Sequence, residues 1–127
     1  MKKTEISTKN APAAIGPYSQ AIAVGDMLYT SGQIPLDPNT SEIVSGGITE
    51  QAHRALKNIG EVLAASGLDY SDVVKTTVFV TDLGDFAAVN AVYGEYFEKP
   101  YPARSCVQVA ALPKNAKIEI EVIARLR

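Results

Sequence analysis

Between Thr49 and Ser66 the apolar residues Ala52, Ala55, Leu56, Ile59, Val62 and Leu63 recur at intervals of three and four. That period places them on one stripe of an α-helix, and a stripe of this length has to be buried against something. Glu50 and Gln51 suit the first turn of the helix, and Gly67 followed by Leu68 suits a left-handed stop with a hydrophobic contact. Most of the remaining apolar segments are too short for helices and read as strands, so the surface offered to the stripe is a sheet.

Strands are expected over residues 3 to 8, 21 to 25, 27 to 32, 73 to 81, 103 to 110 and 117 to 126. Gly25-Asp26 joins the second and third in a tight hairpin. The segment VVKTTVFVT at 73 to 81 is dense in β-branched residues and reads as a central strand. A second helix is expected from about Asp85 to Phe97, capped by Asp82 or Asp85, with Phe86, Val89, Tyr93 and Phe97 on one stripe and Pro100 and Pro102 beyond its end. The resulting order is β-β-β-α-β-α-β-β, an α+β chain whose two helices cover one face of a six-stranded mixed sheet. The last strand carries Ile118, Ile120 and Val122 on one face and Glu119, Glu121 and Ile123 on the other. Apolar residues on both sides, with helices for only one, predict a homo-oligomer.

At 127 residues the chain suits one domain, 1–127. Its net charge of −2 supplies no general positive field for a phosphate backbone or an anionic membrane, so nucleic acid is not an expected partner. No apolar run approaches the roughly 18 residues of a membrane span, and MKKTEISTKN has no apolar stretch behind its lysines, so neither export nor membrane insertion is expected. Cys106 is the only cysteine, which excludes an internal disulfide and fits a reducing cytoplasm. The chain shows neither metal-ligand spacing nor a glycine-rich phosphate loop, and no metal or cofactor is expected.

Candidate functional residues cluster after Pro102, where strand alternation sets Arg104, Cys106 and Gln108 on one face and Ser105, Val107 and Val109 on the other. Arginine at a strand's start can hold a carboxylate through two parallel charge-assisted hydrogen bonds, or can be occupied by an ion pair with Glu119 or Glu121. Those glutamates point the same way and form either a solvated face or a group that orients water or acts as base. Asn90 interrupts the apolar stripe of the second helix, where an amide needs hydrogen-bond partners, and so fixes a loop or borders a pocket. Tyr18 follows Gly16-Pro17 in a rigid loop, and Ser31-Gly32 ends a strand where backbone can approach a ligand closely. His53, the only histidine, is expected on an exposed helix face with Lys57 and Glu61; Cys106 reads as a pocket wall.

Taken together, NAPAAIGPYSQA at 10 to 21, TSGQIP at 30 to 35, VVKTTVFVTDLGDFAAVN at 73 to 90 and YPARSCVQVAALPKNAKIEIEVIA at 101 to 124 closely resemble the Rid family of reactive intermediate deaminases, also known as the YjgF type. The resemblance spans nearly the whole chain, and Arg104 marks the archetypal enamine and imine deaminase branch. It implies a chorismate-mutase-like fold and a homotrimer with sites between subunits. It also implies that Arg104 binds the carboxylate of 2-iminopropanoate or 2-iminobutanoate and Glu119 positions the attacking water. Tyr18, Ser31, Gly32, Asn90 and Cys106 would line the pocket. Rival expectations are an RNA-directed endoribonuclease or translation inhibitor, and a chaperone-like trimer that binds small ligands without turnover.

Overall fold

A computed structural model describes residues 1–127. The strands are β1 (Lys3–Ile6), β2 (Ala21–Val24), β3 (Met27–Thr30), β4 (Val73–Val80), β5 (Ala103–Gln108) and β6 (Ile118–Arg125), and the helices are α1 (Ile48–Ala64) and α2 (Phe86–Tyr93). They occur in the expected order and form one six-stranded mixed sheet, β1-β2-β3-β6-β4-β5. Only β4 and β5 run parallel, because α2 carries the chain from one to the other. β4 lies inside the sheet, paired with β6 on its other edge.

Each α1 terminus has a local cause. Glu50 Oε1 accepts from the Gly47 N–H at 2.7 Å, and at the other end Gly67 takes φ +73° while the Leu68 N–H bonds Leu63 O at 3.0 Å. The apolar stripe is buried against Leu28 of β3, Val78 and Val80 of β4, and Ile118, Ile120, Val122 and Ala124 of β6. Asn58, fully buried on α1, donates to Ile34 O and Leu36 O at 3.2 and 3.0 Å and ties the loop after β3 to the helix.

The second helix is shorter than expected. It stops at Tyr93, where Gly94 follows, and the chain goes on through a turn closed by Phe97 N–H to Tyr93 O at 3.3 Å. Glycine is a poor helix former, so it acts before Pro100 and Pro102 are reached. Phe97 still packs on Tyr93, ring centroids 4.5 Å apart. Asp82 caps the turn that precedes α2, accepting from the Gly84 N–H at 2.8 Å, and Asp85 occupies the helix N-cap without a side-chain bond. His53 is not simply exposed: its Nδ1 lies 2.7 Å from the Tyr96 hydroxyl, which joins α1 to the turn after α2.

Both helices lie on one face. The opposite face presents Tyr29 and Val107, each more than two-fifths exposed, beside partly buried Phe79 and Ile123.

Candidate active site

Strand register decides which side chains can meet. Thr76 of β4 pairs laterally with Arg104 of β5 and Val122 of β6, and Val78 pairs with Cys106 and Ile120. Arg104 and Cys106 therefore stand on the helix-covered face. Phe79, one residue out of phase with Val78, pairs with Val107 and Glu119, which stand on the open face. The seven expected site residues are thus divided between two sides of one sheet.

On the helix side, an Arg104 Nη donates to Asn90 Oδ1 at 2.7 Å. The guanidinium carbon lies 4.8 Å from the Tyr93 ring centroid and 5.4 Å from that of Phe86. Phe86, Asn90 and Tyr93 follow one another at helical spacing on α2, so a single stripe cradles the cation. With Gly94, Tyr101 and Pro102 these groups line a cavity of about 500 Å³. No carboxylate pairs with Arg104; the ion pairs of the chain join Arg127 to Asp69 and Asp72, and His53 Nε2 lies 3.8 Å from a Glu95 carboxylate oxygen. The alternative of an ion pair with Glu119 or Glu121 fails because those side chains leave the sheet in the other direction. Cys106 packs on the core beneath the sheet edge and lines neither of the two cavities of the site. Burial pushes its thiol pKa up, against the opposing influence of Arg104.

On the open side, Gln33 and Ile120 exchange backbone hydrogen bonds of 2.7 and 3.1 Å, which brings Gly32 against Glu119. A β-carbon at Gly32 would collide with the Glu119 carboxylate. Ser31 donates its hydroxyl to Ser19 O at 2.6 Å and its N–H to Gln20 O at 2.9 Å, holding the Tyr18 loop beside the strand. Buried Gln20 fixes that loop further, donating to Thr8 O and Pro12 O. Tyr18, Ser31, Gly32 and Glu119 line a second cavity of about 290 Å³ with Pro12 and Pro113. Burial raises the Glu119 pKa above the ordinary glutamate range, and the neighbouring charge of Glu121 pushes it the same way.

The sequence matches the family described as endoribonuclease L-PSP over residues 8–126. It is 56% identical to the human 2-iminobutanoate/2-iminopropanoate deaminase over 119 residues, 94% of this chain and 87% of the human one. A crystal structure of a Rid-family protein from Yersinia pestis superposes with a TM-score of 0.96 at 50% identity, covering 98% of this chain and all of the other.

The chain belongs to the Rid family.

The TdcF protein of E. coli, solved with bound serine, matches this Rid chain with a TM-score of 0.92 at 49% identity, over 98% of this chain and 99% of TdcF. The sheet with two helices on one face is the YjgF-type fold foreseen from the motifs. Missing from the sequence-based site are Phe86 and Tyr93, which the apolar stripe assigns to the core, and Thr76, whose place beside Arg104 is set by strand pairing. No helix is long and apolar enough to cross a membrane.

Proposed function

We propose that this chain is a 2-iminobutanoate/2-iminopropanoate deaminase whose catalytic clefts form between copies, Arg104 coming from one protomer and Glu119 from its neighbour. The observation that carries the reading is Arg104: oriented by Asn90, unpaired with any carboxylate and facing an open cavity. A guanidinium so placed is a receptor for a small organic acid. The 56% identity to a human enzyme named for this activity supports the same chemistry. The serine-bound relative supports a ligand that carries a carboxylate next to nitrogen.

In this mechanism Arg104 holds the carboxylate of the imino acid by two parallel hydrogen bonds. Glu119 accepts a proton from water as the oxygen adds to the C=N carbon, returns it to the nitrogen, and then relays the proton of the new hydroxyl to the nitrogen in the same way. Collapse of the tetrahedral adduct breaks the C–N bond, forms C=O and releases ammonia and a 2-oxo acid. Orientation of water and substrate is the main demand, since such imines are already electrophilic. No step requires a cofactor.

The division of the site supports assembly. Arg104 and Glu119 face opposite sides of one sheet, so one chain cannot bring both to one substrate. A homotrimer packed through the open face would cover Tyr29 and Val107 and set each Glu119 toward a neighbour's Arg104. The single free thiol suits a reducing compartment, and we assign the protein to the cytoplasm. RNA is no partner in this reading, given a net charge of −2.

The test is subunit complementation. Arg104→Ala and Glu119→Gln are each expected to abolish accelerated ammonia release from imines generated in situ. Co-refolded in equal amounts, they should recover about a quarter of wild-type activity, because random assembly leaves about that share of clefts with both groups intact. An inactive mixture that sediments as a trimer would overturn the shared cleft, and wild-type rates in Arg104→Ala would overturn the deaminase.

A further inference from the structure

Arg104 rests on residues lying beneath the cavity rim. Tyr93 is 6% exposed and its hydroxyl lies 2.8 Å from the Thr76 hydroxyl, itself fully buried. Thr76 is the lateral partner of Arg104 across the β4–β5 pairing. The phenol therefore bridges from α2 to the strand beside the arginine, and its ring lies under the guanidinium at 4.8 Å. A ring anchored only through its Cα–Cβ bonds can tilt; one fastened at the para position as well has a fixed plane. Cation–π attraction depends on that plane, and so does the direction in which the guanidinium presents its remaining donors. Asn90 fixes one Nη at 2.7 Å, while the Phe86 ring at 5.4 Å bounds the group on another side.

We propose that Thr76 and Tyr93 are positioning residues for carboxylate recognition: their hydroxyl–hydroxyl bond locks the Tyr93 ring as the rest on which Arg104 is aimed. The proposal rests on the deaminase reading, in which Arg104 grips the substrate carboxylate. Neither hydroxyl needs to touch the ligand. Their contribution lies in the ordering of a flexible side chain before substrate arrives. Because the grip acts equally on bound substrate and transition state, its loosening raises KM and leaves kcat nearly unchanged.

The experiment measures 2-oxobutanoate binding by NMR titration, imine turnover and thermal unfolding for wild type, Arg104→Ala, Thr76→Val, Thr76→Ser, Tyr93→Phe and the double variant Thr76→Val/Tyr93→Phe. Thr76→Val and Tyr93→Phe should each raise KM and the 2-oxobutanoate dissociation constant about threefold to tenfold, the worth of one lost hydrogen bond. The double variant should be no weaker in binding than either single one, since both remove the same bond. Thr76→Ser keeps the hydroxyl and should restore wild-type affinity, so the Val/Ser pair decides the matter even if Tyr93→Phe fails to fold. If Thr76→Val lowers the unfolding temperature but binds 2-oxobutanoate as tightly as wild type, while Arg104→Ala does not bind it, the positioning role is overturned and the deaminase reading stands. If Arg104→Ala itself binds 2-oxobutanoate like wild type, the reading beneath the proposal falls.

Discussion

Gly32 and Glu119 approach so closely that the glycine's missing side chain is the space the carboxylate occupies. Gly32 does not adopt a left-handed backbone, so its requirement is one of room. Gly32→Ala should displace the Glu119 carboxylate, the movable end of a side chain, and lower deaminase activity at least about tenfold while changing stability by no more than about 1 kcal/mol. Activity alongside a urea melt checks this; wild-type turnover in the alanine variant would detach the carboxylate's position from the chemistry.

Arg104→Lys keeps the charge but loses the planar fork, the Asn90 geometry and the stacking on Tyr93 and Phe86. A loss of about tenfold to a hundredfold in kcat/KM is expected, the worth of one charge-assisted hydrogen bond. The side chain is exposed, so unfolding should barely change. Steady-state ammonia release separates the two effects, and a lysine variant as active as wild type would show that charge alone suffices.

In the proposed mechanism ionised Glu119 takes a proton from water, and its pKa stands above the usual glutamate value through burial and the nearby Glu121 charge. Activity should therefore climb with pH through a limb displaced upward from the ordinary glutamate range, and Glu121→Gln should move that limb to lower pH. For stability the sign is opposite. A raised folded pKa contributes stability below the unfolded glutamate value, and that contribution is lost as pH rises through the folded value. At neutral pH Glu119→Gln should thus unfold no earlier than wild type, although inactive. pH profiles of kcat/KM and of the melting temperature test both halves.

Gly60 faces Tyr70, whose hydroxyl donates to Leu56 O at 2.7 Å and whose ring meets Tyr96 and Phe97 edge-on. Glycine to alanine inside a helix ordinarily gains about 1 kcal/mol. Here the added methyl collides with the phenol, and Gly60→Ala should instead lose about 1 to 3 kcal/mol. A lowered urea midpoint at unchanged slope is the expected signature, and a raised midpoint would show that Tyr70 moves aside freely.

Periodicity and alternation carried the sequence a long way here. The stripe from Ala52 to Leu63 is buried as expected, and alternation along β6 set Ile118, Ile120 and Val122 on the buried face and Glu119, Glu121 and Ile123 on the other, as expected. Asn90 was legible as a polar residue out of place on its stripe, and it borders the pocket by bonding Arg104. What alternation within a strand lacks is register between strands. The opposition of Arg104 and Glu119 follows only once β5 is known to run parallel to β4 with Thr76 beside Arg104. Tyr93 was hidden for another reason: an aromatic ring can serve the core with one surface and a cation with another, and a hydrophobic pattern records only the first use. His53 escaped because its partner, Tyr96, lies in a turn whose approach to α1 depends on how the two helices pack.

A sheet with its cation on one side and its acid on the other makes each chain, in the ring proposed above, a tenant of two clefts. A subunit crippled in one group still lends its intact half next door. A subunit that misfolds disables the clefts on both its flanks. Mixed populations should accordingly show losses and rescues that a count of healthy chains would not anticipate, and dilution past the point of assembly should extinguish turnover.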